Sequence, residues 1–321
     1  MNVDLPNRPF YNNVAMPDIP NNSRFHRKRY RQVRWFFFKV LLQAVWWDVI
    51  LNYPLLRWFR PAVLPRWQTV ARNYKKLAME MGGVLIKLGQ FLSIRVDLFP
   101  PEITQELADL QDEVAPEPYA AIKALVENEF GRPLQEVFNS FSQEPLGAAS
   151  LAQAHLAMLP DGQEVVVKVL RPGINRLVET DLAVMRLVCK WLKLFKGIRR
   201  RMDLDLLMSE FTTTTRHELN LTREKGNLLH FISLFTDDSD VYIPGVHDDY
   251  CTPQTLTMEN VFYIKITDIQ SMTACGIDSK IVADKLYDIY MKQVFRNNFI
   301  HADPHPGNLF VKPIPLSLIH I

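Results

Sequence analysis

Residues 151–170, LAQAHLAMLPDGQEVVVKVL, set two apolar runs on either side of Pro160-Asp161-Gly162. Proline, aspartate and glycine in succession fix a tight turn, so the stretch predicts a β-hairpin with strands near 151–158 and 164–170. It commits the chain to a sheet and leaves one charged side chain, Lys168, among valines in the second strand. On spacing alone Lys168 has two readings, a solvent-facing lysine or one turned onto a partner. Just before the first strand stands Gly147-Ala148-Ala149-Ser150. Side chains this small let backbone N–H groups approach a phosphate.

The rest reads mostly as helix. Val70, Leu77, Met81, Val84, Leu88 and Phe91 recur at helical spacing over 68–99. Pro100-Pro101 stops that helix and heads another over PPEITQELADLQDEV. Lys87 and Gln90, three apart, share a face. Gly82, Gly83 and Gly89 cost helix propensity, about 1 kcal/mol each. Glycine there suggests a close backbone or ligand; a tight helix crossing beside an exposed lysine is the other reading. Further helices are predicted over 174–195, 203–235 and 281–299, and QTLTMENVFYIKITD reads as a strand running into a linker. The 203–235 helix carries Glu218, Asn220 and Glu224. Six residues separate the two glutamates, which puts them about 120° apart around the axis. They would serve different cations, with Lys87 and Lys168 the available pair, or form a solvated acidic face.

The 321 residues are 48% apolar and 22% charged with a net charge of +2, an ordinary globular balance that singles out no partner. Cys189, Cys251 and Cys275 lie far apart, which suits a reducing compartment. Residues 1–23, rich in Asn and Pro, lack the apolar core of a signal peptide and read as a disordered leader. Six Lys/Arg and no acid follow between Arg24 and Arg34, and then four Trp and four Phe within 35–59. Lys39, Asp48 and Asn52 interrupt this apolar run, so it reads as a basic, aromatic membrane-interface segment over 24–64, not a spanning helix. A helix packed on its own domain is the alternative, and nucleic acid is disfavoured because the basic run is short.

Near the end stands HADPHPGN, 301–308, in which His301, Asp303 and Asn308 form H-x-D-x-x-x-x-N. A small-residue loop, a strand lysine, helix glutamates, a strand ending in TMEN and then this motif follow the protein-kinase order. From about 65 to 313 the chain resembles the ABC1/AarF/UbiB atypical kinases. The motifs that carry the likeness are KLGQ (87–90), GAASLAQAH (147–155), VVVK (165–168), ELN (218–220) with Glu224, and HADPHPGN. The resemblance implies an α+β, protein-kinase-like fold with an N-terminal helical extension (65–131), an N-lobe (132–258) and the start of a C-lobe (259–321). It implies an atypical kinase or ATPase using ATP and Mg²⁺, peripheral to the cytoplasmic face of a membrane and tied to ubiquinone or other prenyl-lipid metabolism.

The resemblance also assigns roles. Lys168 would contact the α/β-phosphates and pair with Glu224 or Glu218. Backbone from Gly147, Ala148, Ala149 and Ser150 would cover the phosphates, and Met258 and Glu259 would lie at the hinge near adenine. Asp303, after His301, would orient the attacking oxygen, and Asn308 would hold Mg²⁺. Lys87 and Gln90 would reach into the site from the extension, over the groove where a protein substrate would otherwise bind. Two departures follow. Asn220 replaces the motif's aspartate, which predicts a weaker hold on Lys87. No D-F-G follows Asn308, which reads as a C-lobe truncated before its second metal ligand and predicts weak catalysis by this polypeptide. Two rivals are a non-catalytic nucleotide- or lipid-binding pseudokinase-like module, and a metal-dependent hydrolase built on His301, Asp303 and His305.

Overall fold

The computed structural model describes residues 26–53, 56–59, 61–108, 110, 114–200, 202–261, 263–301, 306–313 and 317–320. Helix α1 (Arg27–Ala44) runs on through a π turn (Val45–Val49) and a 3-10 turn (Ile50–Asn52). Within the resulting rod, Arg27–Asn52, the most apolar 18-residue stretch has a mean hydropathy of 1.2, and the rod is long and apolar enough, by length and composition only, to cross a membrane. Asp48, which interrupts the apolar run in sequence, is paired with Arg66 at 2.7 Å. One side of the rod is docked. Val33 is fully buried, and Phe36 and Phe37 each lie 6.1 Å from the Tyr74 ring.

The helix predicted over 68–99 is two helices, α2 (Val63–Met81) and α3 (Val84–Ser93). Gly82 and Gly83 adopt φ of 63° and 66°, a region that side chains disfavour, and the chain turns there. Arg29 of α1 donates to Met81 O at 2.6 Å and Gly82 O at 2.8 Å, carbonyls that the break leaves open, and binds Asp181 in bidentate fashion at 2.7 Å. Gly89 answers to packing, because a Cβ there would collide with Leu110. Helix α4 (Pro101–Ala108) follows, then α5 (Tyr119–Phe130) and α6 (Leu134–Val137).

The predicted hairpin forms. Strand β1 (Ser140–Ala148) precedes β2 (Ala152–Met158) and β3 (Glu164–Leu170), and the last two pair antiparallel from Ala152↔Leu170 to Met158↔Glu164. After α7 (Ile174–Leu192), α8 (Lys196–Arg199), α9 (Leu204–His217), α10 (Leu221–Leu234) and β4 (Val241–Tyr242), strand β5 (Thr255–Glu259) completes a sheet ordered β1-β2-β3-β5. The period of two sorts β3 onto two faces. Val165, Val167 and Val169 pack with Ile122 and Val126 of α5, whereas Leu170 joins the core formed by α2, α3 and α7. Lys168 therefore sits on the Leu170 face. Beyond β5 lie β6 (Ile264–Lys265), α11 (Ile269–Ala274), α12 (Ser279–Lys292), β7 (Leu309–Lys312) and β8 (Ser317–His320), with a second sheet ordered β4-β8-β7-β6. The helix expected over 281–299 ends its α-helical part at Lys292 and continues as a π turn, Gln293–Asn297.

Candidate active site

The helix predicted over 203–235 is broken at Glu218–Asn220, and the break arranges the site. Asn220 caps α10, its side-chain oxygen accepting from Thr222 N at 3.1 Å and Arg223 N at 3.4 Å. The two glutamates thus belong to different segments, Glu218 to the end of α9 and Glu224 to the first turn of α10. Lys168 Nζ donates to Glu224 Oε1 at 2.6 Å, and Lys87 Nζ lies 3.3 Å from Glu218 Oε2. Each glutamate has its own lysine. A pair as exposed as Lys168–Glu224, 33% and 39%, adds about 0–1 kcal/mol to stability. Its main consequence is positional: it fixes an ammonium group on the Leu170 face of β3.

The weaker hold expected on Lys87 from Asn220 rests on a charge acting at that lysine. The structure instead directs the Asn220 side chain to the helix N-terminus, where asparagine and aspartate cap about equally well. Gln90 does not join Lys87. Its amide donates to Leu110 O at 3.2 Å, inside the extension.

The turn between β1 and β2 is held from behind. Val114 N donates to Ala148 O at 3.1 Å, and Ala149 N to Ala152 O at 2.8 Å. Arg171, 8% exposed, donates to Ala149 O at 2.8 Å, Ala115 O at 2.9 Å and Glu117 Oε1 at 2.8 Å. A Cβ on Gly147 would meet nothing within 4 Å, and Ser150 is buried. Behind the sheet, Glu117 N donates to Gln153 Oε1 at 2.8 Å, and Gln153 Nε2 lies 2.7 Å from His155 Nε2. His155 Nδ1 lies 2.9 Å from Ser142 O. A carbonyl only accepts, so Nδ1 carries the proton and Nε2 accepts from the glutamine amide. Burial pushes the His155 pKa down. None of Arg171, Glu117, Gln153 and His155 stands out by spacing. Arg171, between the last strand residue and Pro172-Gly173, is the one with a sequence cue, a charge where the chain leaves a buried strand.

At the end of β5, Met258 packs on the α2/α3/α7 core. The Glu259 carboxylate is bound by Tyr242 Oη, 2.6 Å from each oxygen, and by Gly245 N at 3.1 Å. That carboxylate is therefore committed to the hinge, and what residue 259 offers a ligand is backbone. Burial and the neighbouring carboxylate push the Tyr242 pKa up to about 12. His301 packs edge-on against Phe231, and its backbone N–H donates to Gln293 Oε1 at 2.9 Å. Asn308 closes a 3-10 turn, Pro306–Asn308, ahead of β7. Asp303 and His305 lie outside the described residues; so does the metal cluster they would form, and among the described residues no group of three or more His, Cys, Asp or Glu could hold a metal.

A four-stranded antiparallel sheet, a strand lysine paired with a helix glutamate and an asparagine-bearing loop before β7 define a protein-kinase-like fold with an added helical layer. The family model of the ABC1 atypical kinase-like domain matches residues 109–321, and the chain belongs to that family. It is 37% identical over 279 residues to a probable protein kinase UbiB of Pseudomonas putida, covering 83% of this chain and 52% of the relative. It is 40% identical over 232 residues to the probable protein kinase UbiB of Sodalis glossinidius, covering 72% and 43%. The chain thus spans about half the length of the curated relatives it matches. Among solved structures, a complex of Rv3197 with erythromycin from Mycobacterium tuberculosis shares the fold with a TM-score of 0.56 and 24% identity, over 77% of this chain and 62% of that one.

Proposed function

We propose that this chain binds ATP between the 147–150 turn, Lys168 and the 258–259 hinge, and acts as an atypical kinase or ATPase of the UbiB kind. The reading is carried by Lys168 Nζ, held 2.6 Å from Glu224 Oε1 beside a turn of residues with minimal side chains. The residues present fit a nucleotide. A fixed cation faces the α/β-phosphates, small residues admit backbone N–H groups close to them, and the hinge offers backbone to adenine. Mg²⁺ would neutralise phosphate charge, with Asn308 as its ligand from this chain. Asp303 orients the attacking oxygen. Lys87 is tied to Glu218 where α9 meets α10, and the family resemblance puts its helix over the groove where a protein substrate would otherwise bind. Small-molecule phosphorylation or ATP hydrolysis is favoured accordingly.

The relatives' UbiB names support a role in ubiquinone or other prenyl-lipid metabolism. The exposed side of Arg27–Asn52 supports a peripheral place on the cytoplasmic face of a membrane. Trp35 and Leu42, seven residues apart and so on about one face of α1, are exposed, and Trp46, Val49 and Tyr53 in and after the turns that continue it are exposed as well. A nucleotide-binding, non-catalytic module is the second reading. Hydrolysis of ATP in Mg²⁺ by the purified chain separates them. Turnover that Lys168→Met and Asp303→Asn both abolish supports the enzyme. Nucleotide binding without turnover supports the module. Turnover indifferent to both substitutions would overturn the site.

A further inference from the structure

Helices α1 and α7 run side by side in the same direction. Arg29 meets Asp181 at 2.7 Å, and further along both helices Phe38 meets Trp191 with ring centroids 5.9 Å apart. Nine residues of one helix thus match ten of the other, so α7 ends level with about Lys39 of α1. The chain leaving α7 there reads KWLKLFKGIRRR over 190–201, with six Lys/Arg and no acid in a protein whose whole net charge is +2. Leu194 stands out of this segment 77% exposed, and Lys190, Lys196, Arg199 and Arg200 are exposed as well. Lys193, Arg199 and Arg200 line one open hollow with the start of α9. The acids of that hollow are already engaged. Asp203 caps α9, accepting from Asp205 N and Leu206 N, and Asp205 pairs with Lys193. No ion pair among the described residues takes up Lys190, Lys196, Arg199 or Arg200.

The aromatic path between the two elements is continuous. Lys39 lies over Trp35, Trp35 stacks on Phe38 at 5.7 Å, and Phe38 meets Trp191. Leu42, one turn beyond Phe38 and so on the same side of α1, is exposed, and so is Trp46 in the π turn that follows.

We propose that residues 190–200 form a second contact with anionic lipid, beside the exposed stripe of α1, so that the protein rests on a membrane through two basic elements, each carrying an apolar wedge. This rests on the membrane reading above. The partner is a lipid surface, since only a surface with anionic headgroups over hydrocarbon accommodates both the cluster of cations and the Leu194, Leu42 and Trp46 side chains among them. Local charge and exposed apolar groups meet here, whereas either one alone would fit a solvated loop.

Co-sedimentation of the full chain with phosphatidylcholine vesicles, with and without about 30% phosphatidylglycerol, tests it. Lys196→Gln/Arg199→Gln/Arg200→Gln alters exposed side chains only and keeps the thermal midpoint. It should lower partitioning onto the anionic vesicles roughly 100-fold, at about fivefold per basic residue. The charge-conserving Lys196→Arg/Arg199→Lys/Arg200→Lys should bind like the parent. A separate Trp35→Ser/Trp46→Ser variant reports on α1. Anionic binding that survives the triple neutralisation but falls with the tryptophan variant overturns the second contact and leaves the membrane reading standing. A parent chain that ignores both vesicles, or that prefers an oligonucleotide to either, overturns both.

Discussion

Replacing Arg171 with methionine tests how the β1–β2 turn is held in place. The guanidinium is almost buried and satisfies Ala149 O, Ala115 O and Glu117 Oε1 at 2.8–2.9 Å. Methionine fills much of the volume and supplies no donor. Each buried carbonyl left unmet costs about 1–3 kcal/mol. The Glu117 side chain, 34% exposed, recovers water and counts for little. Ala115 is exposed and its carbonyl also recovers water, so the half-buried Ala149 carbonyl carries the loss, about 1–3 kcal/mol, and the thermal midpoint should fall by roughly 2–10 °C. Arg171→Lys keeps one or two of the three bonds and should fall between. The turn also loses its tie to 115–117, so ATP affinity should drop more than in a control core variant of equal stability loss, such as Val126→Ala. Differential scanning fluorimetry with titrated ATP reads both quantities. A midpoint within about 1 °C of the parent would refute the buried-donor reasoning. A normal ATP affinity despite the lower midpoint would refute the link between Arg171 and the phosphate-facing turn.

His155 predicts a pH dependence. Its folded pKa is depressed below the ordinary 6.5 by burial, so as pH falls the unfolded chain takes the proton first. Stability is then fully present above 6.5 and is lost as pH falls through the folded value. Protonation would also set an Nε2–H against the Gln153 amide donor. The midpoint should drop as pH falls below about 6.5, and His155→Gln should flatten that part of the curve; an unchanged slope would count against the neutral, Nδ1-protonated imidazole. Asn220→Ala should cost about 1 kcal/mol through the lost cap of α10, while Asn220→Asp should be neutral or slightly stabilising. Chemical denaturation measures both, and equal losses for Ala and Asp would argue against a capping role.

Much of this architecture was legible in the chain itself. Pro160-Asp161-Gly162 between apolar runs fixes the β2–β3 register, and the order of motifs fixes the kinase-like fold. The opposed directions of Glu218 and Glu224 already asked for two lysines. What periodicity could not show was where helices stop. The 68–99 pattern continues across Gly82-Gly83, and only the left-handed backbone there breaks it. The 203–235 pattern continues across Asn220, whose capping needs the turn in place before it can be seen. The roles of Arg171, Gln153 and Tyr242 were hidden for another reason. Their partners lie far away in sequence, and their roles come from burial, which one-dimensional spacing does not carry. Glu259 was expected near adenine, but its carboxylate is spent on Tyr242 and Gly245, so only its main chain remains for that task.

Everything functional here depends on Lys168 being the phosphate-facing cation of a nucleotide cleft. The most direct measurement is the shift in thermal midpoint on adding millimolar ATP, for the parent chain and for Lys168→Met. The parent should be stabilised and the variant should not respond, although both fold. No shift in the parent, or the same shift in both, would contradict the account.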